Sequence, residues 1–181
     1  MMIAALAMTA AMQAQSKFHD VEANEAKGPV KTMTMDMMGN TRTTNFTQDG
    51  KMESAEMTDA VYDANGYLQS AKMNIQGQSV PLKFLWENGV LKGQVIEMMG
   101  QEIKTTYNYD DKGIVTSAST DFGGQAMESP YTDYKFDDHG NWISRKTSMM
   151  GQEMTVTRTF TYYEYNHSNQ TLNPDSIRVG I

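Results

Sequence analysis

Ten glycines fall into five pairs, and every pair has the same spacing. Gly39 and Gly50, Gly66 and Gly77, Gly89 and Gly100, Gly113 and Gly124, and Gly140 and Gly151 are each 11 residues apart. Gly39, Gly77, Gly100, Gly124 and Gly151 are each followed by Asn or Gln. The other five follow Asp or Asn within three residues, as in "YDANG", "YDDKG" and "FDDHG". A Gly-Asn or Gly-Gln step suits a two-residue type II′ hairpin with glycine at the first position, where φ is positive. The Asp-x-x-Gly sites suit longer turns, in which Asp bonds back to the local backbone. Between turns lie about eight residues rich in Thr, Val, Ile, Tyr and Met, a strand length. The spacing predicts an all-β chain, an antiparallel meander of about eleven strands built from hairpin repeats. Helix is expected only in the N-terminal apolar segment.

Hairpin register then predicts the faces. Around Gly77–Gln78 it pairs Ile75 with Val80, Met73 with Leu82, Ala71 with Phe84 and Gln69 with Trp86. The alternate positions Lys72, Asn74, Ser79 and Lys83 form a wet face. Two residues before the hairpin glycines stand Met37, Ile75, Met98, Phe122 and Met149; three after stand Arg42, Val80, Ile103, Met127 and Met154. Only Arg42 breaks the apolar pattern. Burying a large apolar side chain is worth about 1.5–3 kcal/mol. The sheet must therefore roll into a barrel or half-barrel, or be covered.

Composition bounds the partners. A chain of 181 residues implies one domain. Net charge is −7, with pI near 4.9 and mean hydropathy −0.56. That balance argues against a phosphate-tracking surface and so against nucleic acid. "MMIAALAMTAAMQAQ" (1–15) reads as a signal peptide whose apolar run is too short to span a bilayer, although no Lys or Arg precedes it. A polar linker follows (16–28), then the repeat domain (29–165) and a polar tail (166–181). The expected location is exported: periplasmic, cell-surface or secreted. With no cysteine, neither a disulfide nor an acyl anchor on cysteine is available.

"YNYDDKGIV" (107–115), "YKFDDHGNW" (134–142) and "VYDANGYL" (61–68) resemble the YD repeats of the RHS family. "FLWENGVL" (84–91) fits with Glu87 for Asp and a shorter turn. The last unit resembles the closing unit of small secreted bacterial proteins with degenerate repeats of this kind. The resemblance covers about 46–163. In the large RHS and teneurin proteins these repeats build β-sheet shells, so it implies a structural role. This chain has too few units for a closed cage.

The chain has 17 methionines, and thioethers suit Cu(I). Met98 and Met99 in "MMGQE" point to opposite faces of a strand, however, and cannot chelate one ion. Met33, Met35 and Met37 share a face and are the better ligand geometry, yet core packing explains them. Asp110–Asp111 and Asp137–Asp138 have the chemistry for calcium, though turn capping alone explains at least one Asp of each pair. His19, His139 and His167 form no nucleophile–base arrangement. No catalytic residue, metal or cofactor is expected.

Arg145 and Arg158 are the anomaly. The predicted register sets them directly opposite each other on the dry face, and like charges so placed destabilise a sheet. An internal acid such as Asp133 or Asp121, or an anionic ligand, should lie between them. With Trp86 and Trp142 they form the candidate ligand-binding set. The leading expectation is an exported, non-enzymatic structural, surface-associated or protein-interaction module with a protein or cell-envelope partner. The alternative is a periplasmic half-barrel carrier of a lipid or other hydrophobic ligand. A membrane-spanning barrel fits poorly, because its lipid face would have to include both arginines.

Overall fold

The computed structural model describes residues 17–75, 77–149 and 151–164. The expected signal peptide and tail lie outside them. A short helix, α1 (Asp20–Ala23), precedes β1 (Val30–Met37), β2 (Asn40–Phe46), β3 (Met52–Glu53) and β4 (Met57–Tyr62). Next come β5 (Leu68–Ile75), β6 (Gln78–Glu87), β7 (Val90–Met98) and β8 (Gln101–Tyr109). The chain closes with β9 (Val115–Phe122), β10 (Ala126–Phe136), β11 (Trp142–Met149) and β12 (Gln152–Tyr162). All twelve strands form one antiparallel sheet in the order β3-β2-β1-β12-β11-β10-β9-β8-β7-β6-β5-β4. Neighbours in the sheet are neighbours in sequence except at β1–β12. The sheet is not closed into a barrel. Its free edges, β3 and β4, are consecutive in the chain and separated only by residues 54–56. The sheet is curled nonetheless, since residues of β1–β3 and of β4–β7 line a common cavity. The expected eleven strands become twelve because the segment between Gly50 and Gly66 is interrupted at residues 54–56. There the chain passes from one sheet edge to the other.

The hairpin turns are of two residues, as expected, but of a different type and placed one residue earlier. Met38 and Gly39 both have positive φ (55° and 81°), as do Met99 and Gly100 (53° and 73°) and Asn88 and Gly89 (51° and 76°). These are type I′ turns, with glycine at the second central position. Partner sums fall by two: Met73 pairs with Val80 and Ala71 with Leu82. A two-residue shift keeps the predicted alternation of faces, although Met37, Phe122 and Met127, expected on the dry face, are exposed near the hairpin tips. Ala71, Val80, Leu82 and Phe84 are buried, while Lys72, Asn74, Ser79 and Lys83 are exposed.

The concave face carries two core clusters. Val30, Met33 and Phe46 belong to one; Leu68, Leu82, Phe84 and Leu91 make the other. The segment expected to be a polar linker joins them. Its Val21 and Ala26 are buried in the first cluster, and Ala23 packs against the second. Helix is therefore not confined to the N-terminal apolar run. The segment is tied down at both ends: Phe18 and His19 N–H donate to the carbonyls of Asp49 and Gly66 (3.0 and 3.1 Å), while the Asn141 side chain bonds both Lys27 N–H and Lys27 O (2.6 and 3.0 Å). It lies across the Asp-x-x-Gly end of the roll and covers apolar surface that the curl alone leaves open.

Candidate functional site

Three residues of the predicted binding set meet beneath this segment. Trp142 opens β11, Arg145 stands three residues further on, past the register shift between the Phe136–Trp142 and Lys135–Ser144 pairs, and Arg158 comes from β12. The Trp142 ring is sandwiched between two guanidiniums, with Arg145 4.1 Å and Arg158 3.5 Å from its centre. Tyr131 lies on the other side of Arg145 at 3.7 Å, and Phe160 beyond Arg158 at 4.9 Å. Guanidinium planes over aromatic faces attract by cation–π interaction, and more strongly where water is excluded. Both arginines are buried.

The negative partner is Glu25, not Asp133 or Asp121. Its Oε2 accepts from Arg145 (2.7 Å) and from the Trp142 indole (3.2 Å). Arg158 donates to the carbonyls of Trp142, Asn24 and Glu25 (3.0, 2.7 and 2.9 Å). Arg158 thus staples the N-terminal segment to the sheet. The arginines are not directly opposite: Arg145 faces Val156, and Arg158 faces Met35 of β1. The β11–β12 register, with Met149 opposite Gln152, causes this, because it moves each residue's partner by two from the expected one. Asp133 is exposed at a bulge (φ 53°) and pairs with Lys146 at 3.2 Å. Asp121 caps the Gly124 N–H at 2.6 Å.

Burial opposes the charge on both guanidiniums. At Arg145 burial is the largest single effect, but the charge and hydrogen bond of Glu25 together with Tyr134 and Tyr131 outweigh it, so the pKa stands above its ordinary value. At Arg158 burial dominates over the attraction of Glu25, and repulsion from Arg145 adds to it, giving about 9. Arg158 remains protonated at neutral pH. Every Arg158 donor nitrogen has an acceptor. Arg145 bonds through Nη1 alone, to Glu25 and to the Tyr134 hydroxyl, and its buried Nε has no partner among the described residues. Arg158 therefore has no donor nitrogen left for an external anion.

Trp86 lies elsewhere on the concave face. Its indole donates to Leu68 O (2.8 Å) and its ring tilts against Tyr67. It shares with Trp142, Tyr109 and Phe136 the lining of a cavity of about 260 Å³ at the Asp-x-x-Gly end. A second cavity, about 230 Å³, lies between α1 and strands β1–β7. It holds Met33, Met35, Met52, Met57 and Met73, with Asp20 at its floor and Arg42 and Gln94 among its polar residues. Arg42, the exception in the apolar pattern, forms an exposed pair with Glu56 at 3.1 Å, beside the gap between the sheet edges.

Several of these features are absent from the sequence reading. Tyr109 donates to Leu91 O, Tyr134 to Val115 O (2.6 Å) and Tyr163 to Phe46 O (2.6 Å), as Trp86 does to Leu68 O. The aromatic of each repeat thus locks the start or end of a neighbouring hairpin. A longer repeat also appears: Thr58-Asp59 and Thr132-Asp133 each form a bulge whose Asp has positive φ. Each Asp pairs with a lysine, Lys72 at 2.7 Å and Lys146 at 3.2 Å. Aligning 58–78 on 132–152 would have revealed it.

The Asp-x-x-Gly turns are built as predicted. Oδ1 of Asp63, Asp110 and Asp137 each accepts two backbone N–H groups, from residues two and four further on. Those oxygens are ringed by donors, the opposite of what a cation requires. Met99 does not join the wet strand face; it occupies the turn itself and is 90% exposed. No helix among the described residues is long and apolar enough to cross a membrane. No protein-family model matches the chain, and no curated protein matches it in sequence.

Proposed function

We propose that the chain is an exported, non-enzymatic β-repeat protein of the YD-repeat type that acts as a protein-interaction module. The observation that carries this reading is the chemistry of the hairpin tips. Met38 and Met99 occupy turn positions of positive φ, which cost about 1–2 kcal/mol for a residue with a side chain. Asn, Asp or Gly fits such a position better. Both are also in water, 72% and 90% exposed. Met37, Phe122 and Met127 are exposed close to the tips of the same set. Residues placed against both local preference and burial mark a surface kept for contact. Methionine suits it, being unbranched and polarizable.

Replacing Met38 and Met99 by Asn tests the reading. The double variant should be more stable by about 1–2 kcal/mol in a urea melt. It should also lose the specific partner that the parent retains from a cell-envelope extract. Equal capture by both proteins, or none by the parent, counts against the module.

A second reading, carriage of a hydrophobic ligand, is favoured by the two cavities left within the roll. Each lies at or below the ~300 Å³ lower limit of ordinary ligand pockets. That volume supports a compact guest rather than a long acyl chain. Mass spectrometry of an organic extract of the purified protein is expected to yield a small hydrophobe on this reading, and no bound molecule otherwise.

A further inference from the structure

The methionine-lined cavity contains a group that its own fold does not satisfy. Asp20 is 1% exposed. Its Oδ2 accepts from Met52 N–H (2.7 Å) and the Tyr62 hydroxyl (2.6 Å). Its Oδ1 is buried and has no hydrogen-bond partner among the described residues. No lysine or arginine among them lies within ion-pair distance. Lys51, the charged residue with the largest effect on it, sits over the Phe18 and Tyr62 rings, 5.4 and 5.5 Å from their centres. A buried carboxylate in this position is costly unless a donor or a cation meets it. Asn24, Arg42, Thr44 and Gln94 are the other polar residues of the lining, Arg42 being paired with Glu56 at 3.1 Å, and the rest of the wall is apolar or thioether.

We infer that this cavity binds a small primary ammonium ion with an apolar body, its nitrogen on Asp20 Oδ1 and its hydrocarbon against Met33, Met35, Met52, Met57 and Met73. An ammonium supplies both things that Oδ1 lacks, a hydrogen bond and a positive charge. An alcohol supplies only the first. Burial raises the Asp20 pKa against the opposing effects of Tyr62, Met52, Lys51 and His19. Protonation on Oδ2, with the proton donated to the Tyr62 hydroxyl, would remove the charge but still leave Oδ1 without a donor. The cavity's 230 Å³ corresponds to about eight waters' share of liquid volume, which suits a short alkyl chain. Flexible methionines let the wall close on guests of different shape. The inference uses the second reading only for its premise that the interior takes a guest; export and acyl carriage are not required.

The test uses n-hexylammonium and 1-hexanol as probes, with calorimetry for affinity and methionine ε-methyl NMR for location. Hexylammonium should bind about tenfold more tightly than hexanol at neutral pH. The shifted methyl resonances should belong to the five cavity methionines and not to Met38 or Met99. Asp20→Asn retains an acceptor for Met52 and Tyr62, and should bring ammonium binding down to the level of the alcohol. Met57→Trp fills the cavity from an edge strand and should abolish binding of both probes while circular dichroism stays unchanged. Equal affinity for the two probes overturns the inference. So does full ammonium binding by the Asp20→Asn protein, a response confined to the exposed methionines, or no binding at all, which leaves a water on Oδ1. If hexylammonium fails while an organic extract yields a neutral hydrophobe, the carrier reading stands and this inference falls.

Discussion

At the scale of the residue, buried charge organises the concave face. Arg145 and Glu25 are 120 positions apart in sequence and form a largely buried pair at 2.7 Å. Removing one partner of such a pair strands the other and typically costs about 3–5 kcal/mol. Glu25→Gln should therefore destabilise by about 3 kcal/mol in a urea melt. Adding Arg145→Met to it should recover most of that loss, because an apolar side chain can sit against Tyr131 and Trp142. If the double variant is as unstable as the single, the pair is not the origin of the effect. That the two arginines share the dry face and need a counter-charge was legible from alternation alone. The counter-charge itself was not. Asp133 and Asp121 are near in sequence, but one shapes a bulge and the other caps a turn. Glu25 lies in a stretch whose composition reads as linker, and no periodicity points from it to β11.

Among the elements, the N-terminal segment depends on a glycine in a neighbouring turn. Gly66 is buried with φ of 86°, and a Cβ on it would stand 1.9 Å from Lys17 O. Gly113, in the equivalent turn, has φ of 77° and open space around that position. Alanine at either site bears the left-handed cost of about 1–2 kcal/mol. Gly66→Ala must also displace the segment, which should add a further 1–3 kcal/mol or so. The comparison is made by denaturant melts and by hydrogen exchange at the Phe18 and His19 amides, which should lose protection only in Gly66→Ala. Equal destabilisation of the two variants would mean that the segment contributes little. Most of the hairpin units were legible from glycine spacing and alternation, the exceptions being the stretch split into β3 and β4 and the bulged β10. Turn type was not, because Met-Gly-Gln offers glycine to either central position. The structure assigns it to the second and puts methionine in a conformation that its side chain disfavours.

For the whole molecule, tyrosine couples the roll to alkaline pH. Burial raises the pKa of Tyr109, with Glu25 adding, to about 12. Burial followed by the hydrogen bond to Asp137 brings Tyr162 to about 12. Tyr107 and Tyr62 are also raised, chiefly by burial. Each folded pKa exceeds the unfolded value of 10, so between the two the unfolded chain has lost protons that the folded chain keeps. Stability is then full below pH 10 and falls as pH rises towards 12. Thermal melts should show a steep decline across that window, with tyrosinate absorbance appearing together with unfolding. Tyrosinate forming well before the loss of sheet signal would mean that these hydroxyls ionise in place.

Sequence alone determined the strand repeat, the two faces of the sheet and the anomaly of two arginines on the dry one. All of these are local, encoded by turn residues and by a side-chain period of two. Only the tertiary structure decided that β1 closes onto β12 and leaves β3 and β4 as free edges. It also decided that residues 17–29 pack across one end of the roll, and that Asp20 is buried with one oxygen unmet. Those outcomes depend on contacts between residues up to 134 positions apart. They follow from covering the apolar surface that a curled but unclosed sheet leaves in water, a demand of the whole sheet that no short stretch of sequence records.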